Sequence, residues 1–448
     1  MPLKLFGTDG IRGHSGDFPI DKTGSRQIGF VVAQTLAKRV DSPQVVIGRD
    51  TRKNGDKLQE NLCKGLISGG AKTVCAGVCP TPAVVSLLFQ NRADAGIMIS
   101  ASHNPPEYNG FKIFNAEGCK IPDEIEREIE ECFEKLNEPP PESENSLNSN
   151  EKSKWHETYS RFLENSVKDA RDFSQIQIAL DCANGAMFEI APEVFEKTGA
   201  KLSVIGIEPN GENINKGCGS LETASLGNEI RQSSALFGAS LDGDGDRVSF
   251  CDENGNEVDG DIILALFARE MLKNGTLKKP QIVATVMSNK GLEIFLEEIG
   301  IKLFRANVGD RNVADMMRNS GVNFGGEQSG HLIFSDHSTN GDGLLAALLM
   351  ADIVKKNNKP LSRLLPEFEL FPQTLKNVKI SRGEPFDTIP GLPETVAKLE
   401  KQLGKTGRIL IRYSGTEPLA RILIEGENSD AIEQAASELA GIIERRIG

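Results

Sequence analysis

Asp242, Asp244 and Asp246 alternate with Gly243 and Gly245 directly after the apolar segment 235–241, and Arg247 closes the run. In extended chain, residues i, i+2 and i+4 project to one side, so the three carboxylates would converge. Like charges that close repel one another unless a cation neutralises them or their pKa values rise. All-oxygen ligation suits a hard cation, Mg²⁺ or Ca²⁺. An EF-hand loop is the competing pattern, with Glu253 at its twelfth position, but that loop needs glycine where Arg247 stands. Residues 248–251 read as a strand and Asn254-Gly255 as a hairpin turn, so no helix flanks the loop. A solvated acidic turn would not need glycine at both gaps beside a buried strand. The run is therefore read as a Mg²⁺ site, one ion per chain.

Ser102 is the candidate nucleophile, in Ser100-Ala101-Ser102-His103-Asn104-Pro105. Serine in a turn is usually a capping or turn residue. Hydrolase chemistry does not fit, because Ser102 lies in no Gly-x-Ser-x-Gly elbow and a sequence-adjacent His is seldom the activating base. Beside a carboxylate-bound Mg²⁺, the hydroxyl can instead carry a phosphoryl group. Phosphate also needs cationic and backbone donors. Arg412-Tyr413-Ser414-Gly415-Thr416-Glu417-Pro418, with Arg421 close behind, places hydroxyls around a glycine and an arginine at either end. A strand-to-turn connection with solvated arginines fits those residues equally. Phe6-Gly7-Thr8-Asp9-Gly10-Ile11-Arg12-Gly13 is a second cationic loop, where glycine permits close approach and Arg12 can reach a phosphoryl group; a plain glycine-rich turn fits it as well. No Walker A sequence occurs, and no Gly-x-Gly-x-x-Gly opens a helix after a strand. A phosphoryl site without a nucleotide cradle suggests that phosphate moves within a sugar, without ATP.

These loops need a scaffold. At 448 residues, length alone predicts about three to four domains. Short apolar runs (45–47, 73–75, 96–99, 176–180, 201–205, 235–241, 282–286 and 322–324) alternate with helix-length segments. One such helix starts at Pro122 and puts Ile125, Ile129, Phe133 and Leu136 on one face. The alternation implies mainly parallel, helix-covered sheets. A Pro-, Ser-, Asn- and Glu-rich linker over 137–154 cannot bury a core. Further breaks fall near 252–260 and at Phe371-Pro372. The expected division is 1–150, 151–252 and 253–370 as α/β domains with mixed, mainly parallel sheets, then 371–448 as a smaller α+β domain, arranged around one central cleft. Each α/β unit offers a loop after a strand (100–105, 242–247, 326–331), where sites in open α/β sheets lie.

A net charge of −13 argues against tracking of a nucleic-acid backbone, which needs a clustered basic surface. No apolar run approaches the ~20 residues of a membrane span. Eight cysteines without metal spacing, and no secretory segment, read as reduced thiols in a cytoplasmic protein.

With these motifs in order, the chain resembles the α-D-phosphohexomutases over essentially its whole length. The residues that carry the resemblance are 6–13, Ile99-Ser-Ala-Ser-His-Asn-Pro105, 242–247, Val308-Gly-Asp-Arg311, Glu327-Gln-Ser-Gly-His331 and 412–418. The resemblance implies an isomerase that interconverts hexose 6- and 1-phosphates through phosphoserine at Ser102 and a sugar bisphosphate intermediate. Asp242, Asp244 and Asp246 would hold Mg²⁺ together with the Ser102 phosphate. Arg12, Arg247 and His103 would stabilise the transferring group, and Lys112 would shuttle a proton. Asp310, Arg311, Glu327, Ser329 and His331 would bind sugar. Arg412, Ser414, Gly415, Thr416 and Arg421 would hold the phosphate that is not reacting, on a mobile lid of residues ~375–448.

Within the family the chain is most similar to the amino-sugar branch, on Thr8-Asp9, Gln328 and 308–311. The implied partner is a small-molecule hexosamine phosphate, handled by a monomer or homodimer that supplies UDP-N-acetylglucosamine synthesis. The alternatives are a phosphoglucomutase or phosphomannomutase, or an inactive sugar-phosphate-binding relative. The last would lack Ser102 or an aspartate, and all are present. Asn312 stands where members commonly carry an aromatic residue, and 219–222 where they often show Ser-Thr-His; neither touches the nucleophile or metal loop.

Overall fold

A computed structural model describes residues 5–7, 9–136, 140, 152–167, 172–381, 383–414 and 418–448. The linker expected at 137–154 falls largely outside them, as do Thr8, Gly415 and Thr416. The first unit runs β1 (Ile11–His14), α1 (Lys22–Ala37), β2 (Gln44–Arg49), α2 (Gly55–Ser68), β3 (Lys72–Val78), α3 (Thr81–Asn91), β4 (Ala95–Ile99), β5 (Tyr108–Asn115) and α4 (Asp123–Glu134). After α5 (Lys152–Ser166) come β6 (Gln177–Asp181), α6 (Ile190–Lys197), β7 (Lys201–Ile205), α7 (Ala224–Ser233), β8 (Phe237–Leu241), β9 (Val248–Asp252) and β10 (Glu257–Val258). The third unit holds α8 (Gly260–Lys273), β11 (Gln281–Thr285), α9 (Lys290–Glu298), β12 (Lys302–Ala306), α10 (Asp310–Ser320), β13 (Phe324–Gly326), β14 (Leu332–Phe334) and α11 (Gly343–Asn357). The tail is β15 (Gln373–Lys379), α12 (Leu392–Leu403), β16 (Arg408–Tyr413), β17 (Leu419–Glu425) and α13 (Ser429–Ile447).

Three sheets follow one plan that the sequence does not show as a repeat. Their strand orders are β5-β4-β2-β3, β9-β8-β6-β7 and β14-β13-β11-β12, with β1 added beside β5 and β10 beside β9. In each, the first three strands are parallel and the last returns antiparallel. The loop before that return strand is the one that holds the candidate site residues in each unit: 100–107, 242–247 and 327–331. Central strands such as β4 and β8 are buried along their whole length, as their unbroken apolar runs require of strands covered on both faces. Helix starts follow side-chain chemistry. Asp21 and Asn428 accept backbone N–H groups at the starts of α1 and α13, and α4 begins after Pro122 with three acidic residues in its first turn.

Two local expectations are corrected. The strand expected at 322–324 begins at Phe324, after a turn, and Leu136 lies beyond the end of α4, where it still packs on the core. One apolar core runs through the second and third units and into the first, with Phe237, Phe250, Phe267, Phe324 and Phe334 in successive ring contacts. The tail forms a three-stranded antiparallel sheet, β15-β17-β16, and closes its own core around Ile422, Ile424, Leu439 and Ile443. All eight cysteines are free thiols. Among the described residues no helix is long and apolar enough to cross a membrane.

Candidate active site

The aspartate run is a turn and not extended chain, which corrects the reason given for its convergence. Asp242 and Arg247 pair backbone to backbone (Asp242 N–H to Arg247 O, 3.3 Å), and Gly245 N–H returns to Asp242 O at 3.1 Å with Gly245 at φ 73°. A side chain on Gly243 would meet Ser102 O at 2.6 Å. The glycines thus permit a positive φ and a close approach, and the ligand oxygens of the three aspartates still lie within 4.8 Å of one another, all buried.

Ser102 reaches this cluster from the first unit. Its hydroxyl donates to Asp242 Oδ2 at 2.6 Å, and its backbone is left-handed, at φ 54°. His103 Nδ1 lies 3.3 Å from the same hydroxyl. Burial, helped by the nearby charges of Arg247 and Arg12, pushes the His103 pKa down to about 4, so the ring is neutral at neutral pH. Lys112 Nζ lies 2.6 Å from both Asp244 Oδ2 and Asp246 Oδ2. Burial alone would favour the free amine, but the two carboxylates outweigh it and hold Lys112 protonated, above its ordinary range. Asp242, buried beside two other carboxylates, is pushed up to about 8, whereas, against its burial, Lys112 and Arg247 hold Asp246 well below the carboxylate range.

The donors fit a hard cation. After Lys112 and Ser102 are counted, Asp244 Oδ1 and Asp246 Oδ1 remain buried with no hydrogen-bond partner, and every ligand atom that Asp242, Asp244 and Asp246 offer is oxygen. The Nε atoms of Arg12 and Arg247 are likewise buried without hydrogen-bond partners. Asp246, Asp242, Asp9 and Glu327 surround Arg247 with negative charge and raise its pKa against the effect of burial. Arg12 sits 3.5 Å from Asp9, which Lys120 and Arg12 hold below the usual carboxylate range although burial opposes them.

The third unit approaches through His331, whose Nδ1 is 4.0 Å from Asp246 Oδ1 and whose Nε2 accepts the Gly341 N–H at 3.2 Å. Glu327 is buried, with Oε1 accepting Gly309 N–H at 3.0 Å, and Ser329 is exposed at the loop tip. Asp310 accepts from Lys120 Nζ at 2.6 Å. Arg311 is not brought to the cluster, because its guanidinium pairs with Asp123 and Glu126 of α4 and so ties the third unit to the first. In the tail, Arg412 and Arg421 stand opposite each other on β16 and β17, and Ser414 follows β16.

Sequence reasoning missed three contributors. Thr81, the first residue of α3, donates its hydroxyl to Asp244 Oδ2 and its N–H to Asp244 O at 2.9 Å. Asn215 Nδ2 donates to Ser102 O (2.8 Å) and Asn104 O (3.1 Å), and Arg52 lies beneath the same loop. The signals were present: Pro80-Thr81-Pro82 after a strand marks a helix start at the carboxyl end of a sheet, and Arg49-Asp50-Thr51-Arg52 is a charged run after a buried strand.

Four family models match in order. They are the phosphoglucomutase/phosphomannomutase α/β/α domains I (residues 3–140), II (157–255) and III (259–371), and the C-terminal domain (375–442). The chain belongs to the phosphoglucomutase/phosphomannomutase family. Its relatives in that family include the phosphoglucosamine mutase of Desulfotalea psychrophila, 44% identical over 444 residues that cover 99% of each chain. That of Syntrophotalea carbinolica is 42% identical over 451 residues, covering 100% of this chain and 99% of the other. A Burkholderia thailandensis phosphoglucomutase/phosphomannomutase family protein shares the fold with a TM-score of 0.79 at 22% identity, over 99% of this chain and 98% of that one. The Aspergillus fumigatus N-acetylphosphoglucosamine mutase, solved with GlcNAc-6P and magnesium, matches with a TM-score of 0.68 at 18% identity, over 99% and 96%. The family resemblance drawn from the motifs therefore stands, and the four-unit architecture is that of the phosphohexomutases.

Proposed function

We propose that this chain is a phosphoglucosamine mutase, an isomerase that interconverts glucosamine 6-phosphate and glucosamine 1-phosphate. One observation carries the reading: the Ser102 hydroxyl, 2.6 Å from Asp242, at the edge of a buried carboxylate triad with unpaired oxygens. The amino sugar is supported by the two full-length relatives of that name. The reading carries with it a cytoplasmic enzyme, monomer or homodimer, acting on a small-molecule hexosamine phosphate.

Ser102 Oγ carries the phosphoryl group. It donates to one end of the sugar, and the resulting bisphosphate turns in the cleft and returns its other phosphate to Ser102. Mg²⁺ held by Asp242, Asp244, Asp246 and the Ser102 phosphate would neutralise charge on the transferring group. Arg12 and Arg247 offer their unpartnered Nε donors to the phosphoryl oxygens. His103, neutral and beside the Ser102 hydroxyl, can take a proton there, and Lys112 holds one between Asp244 and Asp246. Glu327, Ser329 and His331 face the sugar. Asp310 acts behind His331, and Arg311, clasped to α4 by its Nη atoms, offers its unpartnered Nε toward sugar. Arg412, Ser414, Gly415, Thr416 and Arg421 hold the resting phosphate.

The test is kcat/KM for glucosamine 6-phosphate, glucose 6-phosphate and mannose 6-phosphate, with Mg²⁺ and a trace of sugar bisphosphate, and Ser102→Ala as control. An amino-sugar preference of ~10²-fold or more supports the assignment, because a site built to bond the amine rejects analogues that lack it. Comparable rates would make the chain a broad hexose-phosphate mutase. Phosphorylated Ser102 without turnover would leave a sugar-phosphate-binding protein.

A further inference from the structure

Arg52 is 2% exposed, and its guanidinium is spent on the backbone of the Ser102 loop. Nη2 donates to Ser102 O (3.0 Å) and Asn104 O (2.8 Å), and Nη1 donates to Tyr108 O (2.9 Å) and to Pro105 O. Nε donates to Asp50 Oδ2 at 2.9 Å, while the Arg52 N–H donates to Asp50 Oδ1 at 3.0 Å. Asp50 Oδ2 also accepts the Ser100 hydroxyl at 2.7 Å, and Ser100 Oγ in turn accepts the Ser102 N–H at 2.8 Å. The bonds close a ring: Asp50 to Ser100 to the Ser102 N–H, then from the Ser102 carbonyl through Arg52 back to Asp50.

A buried ion pair is a costly way to satisfy four carbonyls that water at a surface turn would satisfy freely. What the ring adds is shape. Ser102 sits at φ 54°, a left-handed conformation that a non-glycine residue keeps only when its surroundings over-determine it. Both its N–H and its C=O are gripped from the first unit, and Asn215 of the second unit takes the same carbonyl. An in-line phosphoryl transfer needs this kind of positioning more than it needs further chemistry.

We infer that the Asp50–Arg52 pair is a positioning device for Ser102, holding the serine backbone in its left-handed turn so that the hydroxyl stays aligned with Asp242 and with the incoming phosphoryl group. This rests on Ser102 being the phosphoryl carrier. Arg52 touches no reacting atom.

The experiment uses the full chain with Mg²⁺ and glucose 1,6-bisphosphate as phosphoryl donor. It reads phosphate on Ser102 by intact mass against time, then kcat, KM and Tm, for wild type, Arg52→Lys and Ser100→Ala. Lysine keeps the charge facing Asp50 but cannot span four carbonyls. Arg52→Lys is expected to lower phosphoryl uptake and kcat together by ~10²-fold while KM stays within ~3-fold. Ser100→Ala, which removes the grip on the Ser102 N–H, is expected to lower the same two constants by ~10-fold. A lowered Tm with wild-type uptake and kcat well below the melting range would overturn the proposal and leave Arg52 a structural staple. Should Arg52→Lys fail to fold, Ser100→Ala decides alone, and unchanged constants there overturn it. If wild type turns over without ever carrying phosphate on Ser102, the carrier reading falls, and the positioning role with it. If wild type takes phosphate and Arg52→Lys matches it, only the positioning role falls.

Discussion

Ser102 and Asp242, 140 residues apart in sequence and on loops of different sheets, meet at 2.6 Å with the serine hydroxyl donating to the carboxylate. The contact puts a nucleophile at the edge of a cluster in which Asp244 Oδ1 and Asp246 Oδ1 have no hydrogen-bond partner. Removal of divalent cations should therefore remove activity without unfolding the chain. EDTA is expected to lower kcat by at least ~10²-fold, since a bound cation contributes several kcal/mol to charge stabilisation in phosphoryl transfer. Mg²⁺ titration should restore it in wild type and require higher concentration in Asp244→Asn. Undiminished turnover in EDTA, checked by metal analysis, would defeat the metal assignment.

Lys112 is the internal cation of the cluster, held between Asp244 and Asp246 and 3% exposed. Lys112→Met keeps the apolar stem and removes the charge. Taking one partner from a buried ion pair costs about 3–5 kcal/mol because the other charge is left unpaired. The loss should appear in urea unfolding in EDTA and shrink when Mg²⁺ is present, because the metal then supplies the missing positive charge. Equal losses with and without Mg²⁺ would mean that the lysine and the metal do not share these carboxylates.

The candidate site was legible wherever one short loop carried it. Asp242 to Arg247 and the Ser102 loop pointed to a converging carboxylate cluster and a serine hydroxyl, which the structure brings together, and the strand–helix alternation pointed to the α/β units. Contacts between distant loops were not legible. Nothing near Thr81 says that Asp244 lies beyond it, and nothing near Arg311 says that its charge goes to α4. Pairing of that kind depends on how the sheets pack. Alternation of the aspartates predicted convergence, yet the chain achieves it through a turn at Gly245, because a side-chain period of two describes a strand and not a loop. The three α/β units and their loops after strands were legible, but their common strand order was not, since topology can repeat where residues do not.

Asp342 gives a pH test on a buried carboxyl outside the aspartate triad. It caps α11, accepting Leu345 N–H and Tyr159 Oη–H at 2.9 Å each, and burial pushes its pKa up to about 7. A carboxyl raised in the folded state binds its proton more tightly there than in the unfolded chain. The stability it contributes is thus complete below about pH 4 and lost as pH rises through 7. The full shift corresponds to about 4 kcal/mol, but the α11 dipole favours the carboxylate, so we expect about 1–3 kcal/mol. Asp342→Asn should match wild type near pH 4 and exceed it by that amount at pH 8 in urea unfolding. Parallel stability curves for the two proteins would refute the assignment.

Arg412 and Arg421 face each other directly across β16 and β17, so their side chains share one side of the tail sheet. Burial together with the facing charge of Arg421 lowers the Arg412 pKa, an arrangement that an anion between the two would relieve. The tail has its own core and meets the third unit through the Arg408 guanidinium on Ser288 O (3.1 Å) and through Asn289, which bonds the Phe371 N–H and C=O at 3.0 Å each. A small body with its own core can swing, which suits a lid that binds the phosphate not reacting. Arg412→Ala should raise KM by ~10–100-fold, with a smaller effect on kcat, because a charge-assisted contact to phosphate is lost while the reacting groups stay in place. Small-angle scattering should show wild type becoming more compact with glucosamine 6-phosphate, and Arg412→Ala doing so only at higher sugar-phosphate concentration. An unchanged KM, or identical scattering profiles with and without the sugar phosphate, would rule out the tail as a phosphate-binding lid.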